Sequence, residues 1–190
     1  LLIAYLAPPN NFDSMTYHMS RVVHWIQNQS IKFYPTAIPR QNYSLPLAEY
    51  AILHLQILTK TDKLANLVQW SNFLMSIVLM MKIADFIGLN KRGQLITGVL
   101  VAGIPMAILQ SSSTQNDLVV GFFCLAFAFF MLKVVKTGSW EDVLFASLAL
   151  GFALLTKGTG YIFCAGIGLG IAGVYLIGLE WSEIKKKLIR

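Results

Sequence analysis

From residue 64 onward apolar side chains run almost without interruption, whereas the first third of the chain mixes polar, aromatic and apolar positions. The apolar part divides into five segments that flanking polar residues or local thinning of the bilayer can complete as crossings of about 20 helical residues: 64–89, 95–109, 118–135, 140–156 and 161–179. Short connections at 90–94, 110–117, 136–139 and 157–160 predict antiparallel neighbours packed in chain order. In the last segment Gly166, Gly170 and Gly173, with Gly168 nearby, predict close helix contact.

The first third reads differently. Residues 8–45 hold four of the six prolines and no long apolar run, so they predict a sizeable extramembrane loop. Within it, residues 14–27 have helical periodicity: Met15, Met19, Val22, Val23 and Ile26 share a face suited to lie on the membrane, with Tyr17 and Trp25 at the interface and Asp13 or Ser14 as cap. Residues 47–58 form a second helical stretch, too short to cross and carrying Glu49, His54 and Gln56, which predicts a tucked or interfacial helix. Residues 1–7 are apolar but too few to span, and are expected to be the end of a first membrane helix in a fragment. They have no preceding basic segment and no small-residue cleavage site after them, unlike a signal peptide.

Composition strengthens the membrane reading. The 190 residues are 56% hydrophobic and 13% charged, against about 25% charged in soluble domains. Residues 95–132 carry a single charged side chain, Asp117. The net charge of +6 comes with basic residues at Lys91-Arg92, at Lys133 and Lys136, and at 185–190. If all three groups are cytoplasmic, the five spans alternate without exception; the charge thus reflects topology and implies no nucleic-acid partner. Arg21, Lys32, Arg40, Lys60 and Lys63 then fall in the external loop, a position that long loops tolerate. Cys124 and Cys164 sit inside apolar runs and read as small hydrophobes, neither metal ligands nor a disulfide.

This topology gathers the candidate chemistry on the external face. Asp13 follows the first apolar stretch and is succeeded by Tyr17, His18 and Arg21. A carboxylate at the lipid boundary can serve as general base, and it can equally be a helix cap; the two are compatible. Asp117 opens the apolar segment 118–135, where it too can cap, or can join Asp13 in a base role or in holding a divalent cation. Lys157, beside Gly158 and Gly160, can approach an anion such as a lipid phosphate, or can simply snorkel at a helix end. Arg40 is a second phosphate candidate because guanidinium offers bidentate contact. Tyr17, His18, Arg21 and Glu49 complete the candidate substrate-binding set. His18, His24 and His54 have no metal-ligand spacing. Lys82 and Asp85 read as a local ion pair. The acceptor patterns Asn28-Gln29-Ser30 and Asn42-Tyr43-Ser44 are short enough to arise by chance.

The order Asn11-Phe12-Asp13 with Tyr17 and Arg21, Tyr43-Ser44-Leu45-Pro46-Leu47, Thr114-Gln115-Asn116-Asp117 and Leu154-Leu155-Thr156-Lys157-Gly158 resembles the N-terminal part of the dolichyl-phosphate-mannose protein mannosyltransferase-like family. Its bacterial members include the aminoarabinose transferases of lipid A. The resemblance runs over nearly the whole chain and rests on the order of loose motifs. It implies an all-α, polytopic transmembrane helix bundle of the C-type glycosyltransferase kind, with a long first extracytoplasmic loop bearing interfacial helices. Residues 1–7 would end the first membrane helix, 8–63 form the loop, 64–179 five membrane helices and 180–190 a cytoplasmic basic segment. The implied enzyme moves a sugar from a polyprenyl-phosphate donor to a lipid, glycan or protein acceptor outside the cytoplasm, in a bacterial inner membrane. Asp13 would be the catalytic acid and Asp117 its assistant. The family's loop carries a second proline and a lysine that Ser44-Leu45-Pro46-Leu47 lacks, and Arg40 would stand in for that cation. The rival readings are a secondary transporter, which predicts acids near the midplane, and a membrane protein without catalysis.

Overall fold

The computed structural model describes residues 1–188, with side chains described through residue 178. All regular structure among the described residues is helical. Three apolar helices are long enough to cross a membrane: α5 (Leu67–Phe86), α8 (Asp117–Thr137) and the part Thr159–Gly178 of α10 (Thr159–Leu188). Their outer faces leave Leu74, Met75, Val78, Leu169 and Val174 exposed. Such a surface would aggregate in water but suits contact with lipid, and helices satisfy their own backbone groups there. The protein is an integral membrane helix bundle.

α9 (Trp140–Thr156) packs along α8, with α10 closing over both. The seam uses small residues: Ala146, Ala149 and Ala153 of α9 are buried with Val120, Cys124 and Phe127 of α8 and Cys164 of α10. Small side chains at one face let two helix backbones approach, which in lipid is a main source of helix attraction. The expected glycine seam on α10 is therefore corrected. A methyl group placed on Gly166, Gly170 or Gly173 would meet nothing within 4 Å, and Gly168 alone faces a neighbour, Phe127 at 3.8 Å. The two cysteine thiols, which the sequence places 40 residues apart, touch across this seam at 3.6 Å.

Residues 95–109, expected as one span, are two helices, α6 (Lys91–Ala102) and α7 (Pro105–Gln110). The break has a local cause: Pro105 cannot donate a backbone hydrogen bond and pushes Ile104 into an extended conformation (ψ 114°). α6 also begins earlier than expected, because the Asn90 side chain accepts from the Gly93 N–H at 3.0 Å. At this corner Asp85 accepts from Gln94 Nε2 at 2.6 Å. Lys82 and Asp85 make no ion pair among the described residues; the end of the bundle carries instead an ion pair between Lys133 and Asp142.

The N-terminal third docks on the other end. α1 (Leu2–Leu6) leads to a π-helical turn (Ser14–His18) that continues as α2 (Met19–Gln27), and then come α3 (Arg40–Tyr43) and α4 (Leu47–Thr59). Met19 and Val22 of α2, Ala48 and Ile52 of α4, Val68 of α5 and Val119 of α8 form one buried cluster. The apolar face expected to rest on the membrane is thus divided. Met19 and Val22 are packed inside the protein, while Met15, Val23 and Ile26 are exposed. α4 stops where Lys60 adopts a left-handed conformation (φ 56°).

Candidate functional site

Three amide side chains bring the helix ends together. Asn66, before α5, donates to the carbonyl of Ala7 at 2.9 Å and so ties down the end of α1. Gln69 Oε1 accepts from the N–H groups of Leu118 at 2.9 Å and Val119 at 3.2 Å, capping α8 from a neighbouring helix. Asn116 donates to the carbonyl of Thr156 at 3.0 Å, joining the start of α8 to the end of α9. Asp117 makes no side-chain cap bond. Its Oδ1 lies 2.6 Å from Lys157 Nζ, both side chains being about one-third exposed (35% and 34%).

Asp13 is released from capping in the same way. Asn11 Oδ1 accepts from the Ser14 N–H at 2.8 Å, and Asp13 makes no side-chain cap bond. The neighbouring segment approaches through Thr114, whose N–H donates to Ser14 Oγ at 3.3 Å, and Gln115, whose Nε2 donates to Asp13 Oδ2 at 3.3 Å. Residues from opposite halves of the chain thereby share one cavity of about 490 Å³, lined by Asp13, Tyr17, Arg40, Tyr43, Thr156 and Lys157 among others. The Arg40 guanidinium stands 5.6 Å from the centre of the Tyr17 ring. Burial, and then the neighbouring Asp13 carboxylate, push the Tyr17 hydroxyl up to about 12, so it remains a protonated hydrogen-bond donor at working pH.

His18, Arg21 and Glu49 are placed elsewhere. They lie 2%, 1% and 0% exposed and do not line the cavity, so a ligand in it cannot touch them. His18 Nδ1 is 2.6 Å from Glu49 Oε1, and Arg21 Nη1 is 3.7 Å from the same oxygen. The glycines beside Lys157 also separate in role. Gly158 borders the cavity with open space around it, while a methyl on Gly160 would lie 2.6 Å from the Ala153 carbonyl oxygen. Gly160 is thus a packing position that lets α10 start against the end of α9.

A second, larger hollow of about 650 Å³ runs along the same helices. Its walls are Leu47, Ala51 and Leu55 of α4, Val68 of α5, Phe123 of α8 and Phe152 of α9, with His54 and Asn72 as polar members. Val119 and Phe123 lie one to two helical turns beyond Asn116, and Phe152 one turn before Thr156, so this apolar groove lies next to the polar cavity along α8 and α9.

Four residues that build the site, Asn11, Gln69, Gln115 and Asn116, were not singled out as site residues from the sequence. Asn11, Gln115 and Asn116 lie within motifs named above, but Gln69, in the first turn of α5, has no local cue. Among the described residues, no cluster of three His, Cys, Asp or Glu side chains is placed to hold a metal. Asp13 and Asp117 are acids beside this cavity that could approach a cation, and Asp117 already engages Lys157.

No curated protein and no solved structure matches the chain. A family model does match, that of dolichyl-phosphate-mannose-protein mannosyltransferase, over residues 46–189. The matched part contains Asp117 and Lys157, and the loop before it supplies Asp13, Tyr17 and Arg40. With three quarters of its length in that match and an all-helical membrane bundle around the cavity, this chain belongs to the dolichyl-phosphate-mannose-protein mannosyltransferase family of membrane glycosyltransferases.

Proposed function

We propose that the cavity binds the phosphate and sugar of a polyprenyl-phosphate-linked donor, whose hydrocarbon lies in the adjoining groove. The sugar passes to an acceptor hydroxyl or amine on the extracytoplasmic face. The observation that carries this reading is a charged cavity with an apolar groove beside it along α8 and α9. That shape matches an amphiphile with an anionic head and a long apolar tail. The orientation is supported by Lys91, Arg92, Lys133 and Lys136, which all fall at the end away from the cavity. In this arrangement α6–α7 and the 17-residue α9 complete five crossings with α5, α8 and α10.

The step is an in-line displacement. The acceptor oxygen or nitrogen bonds to the anomeric carbon, and the bond from that carbon to the phosphate oxygen breaks with its electron pair going to the phosphate. The acceptor proton passes to Asp13, whose carboxylate is free of capping and held by Gln115. Lys157 and Arg40 face the same cavity and balance the charge gathering on the departing phosphate. Asp117, at 2.6 Å from Lys157, keeps the ammonium aimed across the end of α9. A phosphate is already a good leaving group, so most of the work is placement and charge balance.

The groove gives a direct test. Ala51→Trp should raise the KM for dolichyl-phosphate mannose about tenfold, the cost of losing burial of about two CH₂ groups at roughly 0.8 kcal/mol each. The KM for a short-chain analogue of the same phosphate sugar should stay unchanged. Equal effects on both donors would reject the groove as the seat of the lipid. Absence of any label transfer from polyprenyl-phosphate sugars, in membranes holding the protein, would reject the reaction.

A further inference from the structure

Part of the rim of the cavity that Lys157 lines is α3 (Arg40–Tyr43) with Ser44, a helix of four residues. A helix this short has no stability of its own, because it fixes more backbone than it gains in hydrogen bonds. One of its carbonyls, that of Arg40, accepts from the Ser44 N–H at 3.2 Å, and the later ones lack partners further along the helix. One buried side chain reaches three carbonyls of this rim. Arg21 Nε donates to the Gln41 carbonyl, and Nη2 donates to the carbonyls of Arg40 at 3.0 Å and Ser44 at 2.8 Å. The guanidinium therefore spans the rim from beneath, and its positive charge stands at the end of α3 where the helix dipole favours it.

Around this contact the rim faces two ways. Gln41 and Asn42 turn inward: Gln41 Nε2 donates to the Thr16 carbonyl at 2.8 Å, and Asn42 Nδ2 donates to the Tyr34 carbonyl at 2.8 Å. Arg40, Tyr43 and Ser44 border the cavity. Glu49, fully buried, is the counter-charge for Arg21 and accepts from His18. A buried pair of this kind contributes little net stability compared with apolar residues of like size, and fixing geometry is a use to which such a pair can be put.

We infer that Arg21, held by Glu49 and His18, is a positioning residue that sets Arg40 and Tyr43 over the cavity for the phosphate of the donor. This rests on the donor reading above and names how the rim half of that site is held. It also accounts for why three residues with polar chemistry are sealed from the cavity they adjoin. Lysine at position 21 would keep the charge opposite Glu49 but could not fork across three carbonyls.

The test compares wild type with Arg21→Lys, each as the full chain in lipid nanodiscs. Amide hydrogen exchange is followed over residues 39–46 and over α8, and binding of dolichyl phosphate is measured directly. In Arg21→Lys, residues 39–46 should exchange faster with α8 unchanged, and dolichyl phosphate should bind at least about tenfold more weakly. Transfer from dolichyl-phosphate mannose should fall by about 10²-fold, the scale set by a misplacement of about 1 Å. If Arg21→Lys does not yield folded protein, Arg21→Met with Glu49→Met removes both charges together, and the same exchange comparison is made. Unchanged exchange at 39–46 overturns the clamp. Faster exchange with unaltered dolichyl phosphate binding and KM overturns its positioning role. Should wild type itself bind no dolichyl phosphate, the donor reading falls and takes the positioning role with it, whereas the exchange result still decides whether Arg21 holds the rim.

Discussion

Each end of the helix bundle carries a lysine–aspartate pair, and the two differ in what surrounds them. At one end Lys133 and Asp142 join α8 to α9, and Thr137 Oγ1 donates to the second carboxylate oxygen at 2.9 Å. Lys133 also lies over the rings of Phe129 and Phe130. Both carboxylate oxygens of Asp142 and the Lys133 ammonium have thus found partners. At the other end Lys157 and Asp117 join the same two helices, but Lys157 borders an open cavity that it shares with Asp13, Arg40 and Tyr17. The pairs are chemically alike, so pairing by itself does not mark a site. What marks it is charge left facing space, with helix ends already capped by uncharged amides.

The sharpest way to break the comparison is at Asp13. Asp13→Asn should lower the transfer rate by about 10²–10⁴-fold, the usual contribution of a general base. Thermal stability should hold, because the cap belongs to Asn11. A loss of folded protein matching the loss of rate would return Asp13 to a structural role. Next comes a matched pair of substitutions. Lys157→Met should reduce transfer by about 10²–10³-fold, the scale of removing one donor to a developing anion. Lys133→Met should leave transfer within about twofold and lower only the unfolding temperature. Equal rate losses in the two variants would erase the distinction between the ends. The smallest effect concerns Tyr17, whose hydroxyl is raised to about 12 by burial and by Asp13. The folded state holds that proton more tightly than the unfolded chain, so stability attached to Tyr17 is complete below pH 10 and is lost as pH climbs from 10 toward 12. Tyr17→Phe should flatten that alkaline decline and remove the latest tyrosinate component from a spectrophotometric titration.

How much of this was legible in the sequence depends on the distance over which the deciding interaction acts. Long apolar runs such as α8 declared themselves, since 21 residues from Asp117 to Thr137 admit little else in a membrane. The break at Pro105 was also within reach, because a proline restrains itself and the residue before it, but the apolar run hid it. The cap was misplaced by two residues: Asn11, Asp13 and Ser14 are all good caps, and only folded geometry selects Asn11. Asp13, Asp117 and Lys157 could be assigned to one face by alternation of spans alone. The pairing of Lys157 with Asp117 across 40 residues, the burial of Glu49 against His18 across 31, and the capping of α8 by Gln69 across 49 could not. Those depend on tertiary packing, which local periodicity does not encode.

The π-helical turn at Ser14–His18 has a bearing on comparison with other chains. There the Met19 N–H reaches back five residues to the Ser14 carbonyl instead of four. One surplus residue is thus absorbed between the carboxylate that faces the cavity and the guanidinium that lies beneath its rim. Because each helical residue turns the chain by roughly 100°, the two are set by angular phase as well as by spacing. A relative with a regular α-helix at this place would present a different side chain to the cavity from the same numbered column, and aligning such chains by letters alone would pair residues that point in different directions.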